Sequence, residues 1–223
     1  FPQDDVDAQW TVCSPETVGG YTAAGYFFGR KLHQELNVPI GLVNSSWGGT
    51  RIEPWTPPVG FEKVPALATI FKQVQLTNPA TGAYKSVLER YLQQLDAWST
   101  KAKVALNAET PLQPAPTYPA SIQPLTSHTS PTTLYNGMIH PLVPFAMRGA
   151  IWYQGEGNAG SAEDYEVLFP TMISDWRKAF NQGNFPFVFV QLPSYSAARP
   201  QPTESNWAAL RFAQFRTLSV PNT

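Results

Sequence analysis

The sequence predicts a three-layer α/β domain built on a parallel β-sheet, and two observations support this class. Apolar runs of strand length alternate with amphipathic helical segments, above all in the second half of the chain. This order is typical of parallel strands that are connected through helices. The run 186–192 is apolar almost throughout, as a parallel strand covered on both faces should be.

The alternation begins with a helix over 21–36 and a short buried strand over 38–44. The helix is predicted because apolar residues recur at spacings of three and four and so share one face: Ala24, Phe27, Phe28, Leu32 and Leu36. Asn37 ends the helix. The strand then leads into a glycine-rich polar turn over 45–50.

Residues 57–131 are expected to form an insertion on the main domain rather than a second core. The prolines within 54–58 oppose a regular helix at its beginning. A long helical pattern then covers 86–106. Residues 107–131 are rich in Pro, Thr and Ser, which indicates an extended surface loop.

After the insertion, strand and helix alternate regularly. The predicted elements are a strand at 147–153, a helix at 162–181, a strand at 186–192 and a helix at 205–218. Strands separated by helices of this length favour βαβ units, in which neighbouring strands run parallel.

Composition excludes several classes of function. With 14% charged residues and a net charge of −1, the chain lacks the basic surface that a nucleic-acid partner requires. No apolar run approaches the 18 residues of a membrane span. One cysteine and three histidines, none at metal-ligand spacing, argue against a metal site. We expect no metal and no cofactor.

Two predicted strands end in polar, glycine-containing turns, at 44–50 and 154–158. Ligands bind at the carboxyl ends of strands in open α/β sheets, so the two turns suggest one site. Gly48 and Gly49 would let a substrate approach the backbone, and Gln154 would supply a neutral side-chain donor. Such groups can hold the negative charge that develops during acyl transfer.

A plainer interpretation of these turns stays open. Gly48 and Gly49 would then simply form a turn, and Gln154 would cap a helix. Glu156 follows the same strand and could orient a base, bind sugar hydroxyls or accept backbone N–H groups. The sequence does not separate these roles.

The nucleophile and the base are harder to place. Ser45 and Ser46 precede the glycines, but neither has the glycine two residues earlier that a nucleophile elbow needs. Hydrogen bonds to the turn backbone are the favoured role for both. His140 is the one serious candidate for a base, with a half-buried turn-holding imidazole as the alternative. His33 and His128 are expected at the surface.

Several long segments, in order, resemble the sialate O-acetylesterase family of the SGNH hydrolases. The resemblance covers nearly the whole chain and weakens within 57–131. Its segments are 40–55, 134–142, 149–156, 169–177, 185–192, and 207–218 together with 221–223.

The resemblance implies a flavodoxin-like SGNH sheet and removal of O-acetyl groups from sialic acids by a serine nucleophile and a histidine base. The family carries its serine in a Gly-Gln-Ser-Asn motif and its histidine in an Asp-x-x-His segment, and neither motif occurs here. We therefore expect 1–223 to be a partial esterase domain. The first strand with the nucleophile and the last strand with the base would lie outside it, on the remaining segments of its own catalytic domain.

The resemblance also suggests roles for individual positions, an O-acetylated sugar as substrate, and a secreted or periplasmic location. On the catalytic side the residues are Gly48, Gly49, Gln154 and Glu156, and on the substrate side Trp47, Asn136, Ser46 and His140.

Two other functions remain open from the sequence. One is an esterase for acetylated xylan or another glycan, because related carbohydrate esterases share the Gly-Gly turn and the Gln-Gly-Glu strand end. The other is a non-catalytic carbohydrate-binding fragment, which would fit the aromatic content and the missing nucleophile motif.

Overall fold

Two short parallel strands and the long helix that connects them organise the fold. The computed structural model describes residues 1–62, 64–195, 197, 200–201 and 203–223. Strand β1 (Ala150–Trp152) pairs with β2 (Phe187–Phe189), with Ala150 opposite Phe187. The connecting helix, α6, spans Ala162–Phe180. The predicted α/β class is therefore confirmed, with a helix-rich chain around a two-stranded parallel sheet.

The described residues form seven α-helices, and the predicted helices are among them. The bounds are α1 Pro15–Val18, α2 Ala23–Leu36, α3 Pro58–Glu62, α4 Ala68–Thr77, α5 Gly82–Asn107, α6 Ala162–Phe180 and α7 Asn206–Arg216. Helix α2 ends as expected at Asn37, whose left-handed backbone (φ 51°) lets its N–H donate to the carbonyl of His33. Helix α7 continues into a 3₁₀ turn, Thr217–Ser219.

The predicted buried strand at 38–44 is wrong. In the described chain, β1 pairs with β2, and residues 38–44 run as a loop without ladder hydrogen bonds to either strand. Val38 and Val43 are 44% and 51% exposed. The loop packs instead against α2, where Leu42 lies so close to Gly29 that a Cβ there would be 2.7 Å from Leu42 Cδ1. An apolar run becomes a strand when a neighbour supplies backbone partners.

The prolines within 54–58 also do not exclude helix. Glu53–Trp55 forms a 3₁₀ turn with Pro54 in its first positions, and Pro58 is the first residue of α3. A proline is tolerated in the first turn because its missing N–H would have no intrahelical partner there. The prolines therefore mark helix starts.

The core forms around Trp152 at the end of β1. Its indole lies 5.9–6.2 Å, centroid to centroid, from four aromatic rings: Trp55, Phe169, Trp176 and Phe187. Helix α6 supplies five fully buried side chains to this core: Tyr165, Leu168, Phe169, Met172 and Ile173. Large aromatic side chains contribute most of the apolar area that such a core removes from water.

The two faces of the sheet differ. Trp152 and Phe187 point toward α6, whereas Ile151 and Val188, next to them, are 41% and 49% exposed. Successive side chains of a strand point to opposite faces. The described residues thus cover one face of the sheet and leave the other exposed, so they do not form the predicted second helical layer.

Arg177 ties α6 to the segments that flank β2. Its guanidinium donates to the carbonyl of Phe185 through Nε (3.1 Å) and Nη2 (2.8 Å). It also donates to the carbonyls of Pro221 (2.8 Å) and Asn222 (3.0 Å). The backbone of Asn222 then accepts the N–H of Phe187, at the start of β2. Burial lowers the pKa of Arg177 from its ordinary value.

We expect Arg177→Met to destabilise the protein by about 3 kcal/mol, because it removes the side-chain donors to the buried carbonyl of Phe185 and to the part-buried carbonyl of Pro221. Urea denaturation followed by tryptophan fluorescence would measure the change. Arg90→Met, on the exposed side of α5, is the matched control and should change the free energy of unfolding by less than about 0.5 kcal/mol. Equal effects of the two changes would contradict this role of Arg177.

Candidate functional site

The polar turn at 154–158 lies directly against the backbone of residues 50–52. Gln154 Nε2 donates to the carbonyl of Thr50 (3.1 Å) and to Asn158 Oδ1 (2.9 Å). Asn158 Oδ1 also accepts the backbone N–H of Ile52 (2.9 Å). The two turns that suggest one site from the sequence are therefore held together by buried hydrogen bonds.

A buried carboxylate completes this network. Glu53 is 7% exposed, and its Oε2 accepts from Asn158 Nδ2 (3.0 Å). Arg51 Nη2 lies 2.6 Å from Glu53 Oε1 and donates to Ser161 Oγ (2.9 Å). The pair thus differs from an exposed surface ion pair, because its carboxylate is desolvated and has a second partner.

The glycine turn is closed from its C-terminal side. Thr50 Oγ1 donates to the carbonyl of Trp47 (2.7 Å) and accepts from Trp55 Nε1 (3.0 Å). Gly49 has φ +76°, a left-handed conformation that favours glycine. Both Gly48 and Gly49 are exposed, and a Cβ built on either would meet no atom within 4 Å. A small substrate can therefore approach this stretch of backbone.

Gln154 contacts the turn rather than open space. Both hydrogens of its NH₂ group are donated within the protein, to Thr50 O and Asn158 Oδ1. Its backbone carbonyl accepts from Gln214 Nε2 on α7 (3.0 Å), and the residue is 9% exposed. In this structure Gln154 fixes the position of the residues that follow the glycines.

Gly155 and Glu156 lie on either side of a sharp bend after the strand. Gly155 has φ +150°, and a Cβ there would be 2.8 Å from Gln214 Nε2. Glu156 is exposed and opens the 3₁₀ segment Glu156–Ser161. Burial, with a smaller contribution from Glu156, raises the pKa of Tyr165 behind the bend, so this phenol stays neutral at physiological pH.

Trp47 presents half of its surface at the rim of the turn. Its side chain is 50% exposed, and its ring stacks on His128, with 4.8 Å between centroids and 14° between planes. His128 belongs to the 57–131 segment. Directly after this segment, the backbone N–H of Thr132 donates to the carbonyl of Glu53 (3.1 Å). The sequence indicates a solvated His128, and the contact with Trp47 is not visible from it.

The hydroxyls of both serines are bonded to groups other than a histidine in the described part of the chain. Ser46 Oγ donates to Asn44 Oδ1 (2.8 Å), and Ser45 Oγ donates to the carbonyl of Met138 (3.2 Å). Neither bond is to the backbone of the glycine turn, so the turn-backbone role favoured from the sequence is wrong for both serines.

Asn136 and His140 lie against the N-terminal residues. Asn136 belongs to the π-helical turn Tyr135–Ile139, and its carbonyl accepts the backbone N–H of Gln3 (2.9 Å). His140 Nδ1 lies 2.9 Å from the carbonyl of Gln3. The hydrogen bond from Ser45 to Met138 connects this π turn to the glycine turn.

Asn158 is the main residue of this hydrogen-bond network for which the sequence suggests no role. It is 1% exposed and bonds Ile52, Glu53 and Gln154. The sequence does contain a signal for this role. An asparagine four residues after Gln154, in a glycine-rich bend, finds few hydrogen-bond partners for its amide within the bend itself, so partners on another segment are expected.

The described residues show neither a metal cluster nor a membrane helix. Within them, no group of three or more His, Cys, Asp or Glu side chains is arranged to hold a metal ion. None of their helices is both long and apolar enough to cross a membrane.

Comparison with protein families and curated proteins confirms the resemblance found in the sequence. A family model for a carbohydrate esterase, sialic acid-specific acetylesterase, matches residues 121–223. A sialate O-acetylesterase of Mus musculus is 35% identical over 204 residues, which cover 86% of this chain and 34% of that protein. One from Homo sapiens is 32% identical over 202 residues, covering 85% and 29% respectively. The chain thus spans about a third of the length of these relatives.

A solved structure gives the same relationship. The crystal structure of a carbohydrate acetylesterase from Xanthomonas citri superposes with a TM-score of 0.67 and 31% sequence identity. The match covers 100% of this chain and 38% of that one.

We expect Gly155→Ala to destabilise the protein by about 2 kcal/mol, because alanine is strained at φ +150° and its methyl would meet Gln214. Thermal unfolding would measure the loss. Gly160→Ala is the matched control, since a Cβ there meets nothing within 4 Å, and its effect should stay below about 0.5 kcal/mol. A Gly155 variant as stable as the control would contradict the strain.

Proposed function

From the premise that this chain is a relative of the sialate O-acetylesterases, we propose that its parent protein is a carbohydrate O-acetylesterase. The proposed substrates are O-acetylated sialic acids. Water and the acetyl ester would yield acetate and the free sugar hydroxyl. The observation that supports this most directly is the exposed Gly48-Gly49 turn, held rigidly from behind by Thr50, Gln154 and Asn158.

In this proposal, the glycine turn stabilises the transition state. A serine oxygen adds to the acetyl carbon, and the carbonyl oxygen becomes an oxyanion. The backbone N–H groups of Gly48 and Gly49 would donate to it, since both residues are exposed and free of steric crowding. Donors fixed before the reaction stabilise such charge without reorganising. Gln154 would contribute indirectly, because its side chain donates to the carbonyl of Thr50 and so keeps the glycine turn in position.

We propose that the nucleophilic serine and the histidine base come from segments of the parent protein outside these 223 residues. Two findings support this assignment. The chain spans about a third of its curated relatives. The hydroxyls of Ser45 and Ser46 are donated to Met138 and Asn44, so within the described residues neither has the histidine partner that activates a serine.

Trp47 is the proposed contact for the sugar ring. Its indole is half exposed beside the glycine turn, and the stacked His128 supports it. An aromatic face offers apolar area at low conformational cost, which suits the C–H face of a sugar. Glu156, exposed on the neighbouring turn, is proposed to bind sugar hydroxyls or to orient the base.

A second candidate is an acetylesterase for another glycan, such as acetylated xylan. The observation in its favour is that the Xanthomonas citri structure, which covers the whole chain, is described as a carbohydrate acetylesterase. Its name specifies no sialic acid.

Acetate release by the full-length parent protein tests the function. We expect kcat/KM for O-acetylated sialic acid to exceed that for acetylated xylan by about tenfold or more. The reason is that the site would bind chemical groups of the sialic acid that xylan lacks. Preference for xylan would favour the second candidate. Failure to hydrolyse either ester or p-nitrophenyl acetate would contradict an esterase.

Gly48→Ala tests the glycine turn. A methyl group at this position meets nothing in the protein, so the melting temperature should not change. It would crowd the oxyanion, and we expect kcat/KM to fall by about tenfold or more. The matched control is Gly82→Ala, which also meets nothing within 4 Å and lies at the start of α5. Full activity of the Gly48 variant would exclude the turn from the reaction.

A further inference from the structure

We propose that Asn158 is a positioning residue for the reaction. It would fix the Gly48-Gly49 turn by holding the backbone at Ile52 and the side chains of Gln154 and Glu53. This inference rests on the proposed esterase function and adds to it a residue that never touches the substrate.

The carboxamide of Asn158 has one satisfactory orientation. Its oxygen faces two donors, the backbone N–H of Ile52 and the NH₂ group of Gln154, each at 2.9 Å. Its nitrogen faces an acceptor, Glu53 Oε2, at 3.0 Å. A rotation by about 180° would set donor against donor and acceptor against acceptor. Because the group is 1% exposed, water cannot replace these partners.

These hydrogen bonds act on the residues that close the glycine turn. Asn158 holds Ile52 directly, and it orients Gln154, whose other hydrogen is donated to the carbonyl of Thr50. Thr50 in turn closes the turn through the carbonyl of Trp47. A small displacement of the 50–52 backbone would therefore move the glycine N–H groups, and a shift of about 1 Å in a catalytic group can cost about a hundredfold in rate.

Glu53 makes this site sensitive to a minimal change. Asn158→Asp keeps the size and both acceptor contacts of the side chain, but it places a second carboxylate against Glu53 in a buried position. Two carboxylates at that distance repel each other unless one takes up a proton. Glu53→Gln removes the repulsion, because the new amide can donate to the carboxylate introduced at position 158.

The test is a double-mutant cycle in the full-length protein, with p-nitrophenyl acetate as substrate. We expect Asn158→Asp to lower kcat about tenfold or more in the wild-type background, with KM nearly unchanged. In the Glu53→Gln background the same change should cost less than about threefold, since the repulsion is gone. Asn206→Asp, which adds the same charge at the exposed start of α7, is the control and should leave kcat unchanged.

Folding is measured on each variant by its thermal midpoint. If Asn158→Asp alone does not fold, the double variant carries the test, and it should be folded with kcat close to that of Glu53→Gln. The inference is overturned if folded Asn158→Asp retains wild-type kcat, or if its cost is the same in both backgrounds. A wild-type protein that hydrolyses no ester would instead contradict the proposed function, and this inference with it.

Discussion

The site depends on the hydrogen bonds that two side-chain amides make to a distant piece of backbone. Gln154 reaches the carbonyl of Thr50, 104 residues away in sequence, and Asn158 reaches the N–H of Ile52, 106 residues away. A buried backbone group must find a partner or lose stability. Here the partners are the side-chain amides of Gln154 and Asn158, and these amides also set the distance between the two turns. The glycine turn keeps its shape because its far end is anchored in this way.

The aromatic core makes that anchoring rigid. Trp152, at the end of β1, is packed among four rings, so the strand delivers Gln154 at a fixed point. The carbonyl of Gln154 is held by Gln214 from α7, whose side-chain oxygen accepts the N–H of Leu192. The polar site is thus built on close-packed elements, and packing of this kind keeps binding groups in position before a substrate arrives.

Predictions from the sequence succeeded where local signals dominate. The helix over 162–181 was found because its apolar spacing is regular and long. Strands β1 and β2 lie within the predicted runs 147–153 and 186–192, but each is shorter than predicted. The run 38–44 has the same apolar character, yet it forms a loop because the described residues offer it no neighbouring strand. The prolines within 54–58 were misjudged because Pro54 lies in the first positions of a 3₁₀ turn and Pro58 is the first residue of α3.

The sequence by itself determined the α/β class, the resemblance to the sialate O-acetylesterases and the two glycine-containing polar turns. These follow from periodicity and from short contiguous motifs, which a linear chain displays directly. Tertiary structure alone decided that Gln154 turns its amide toward Thr50, that His128 stacks on Trp47 and that Asn158 joins three segments. Each of these contacts joins residues far apart in the chain, and a buried amide takes the partners that packing places beside it.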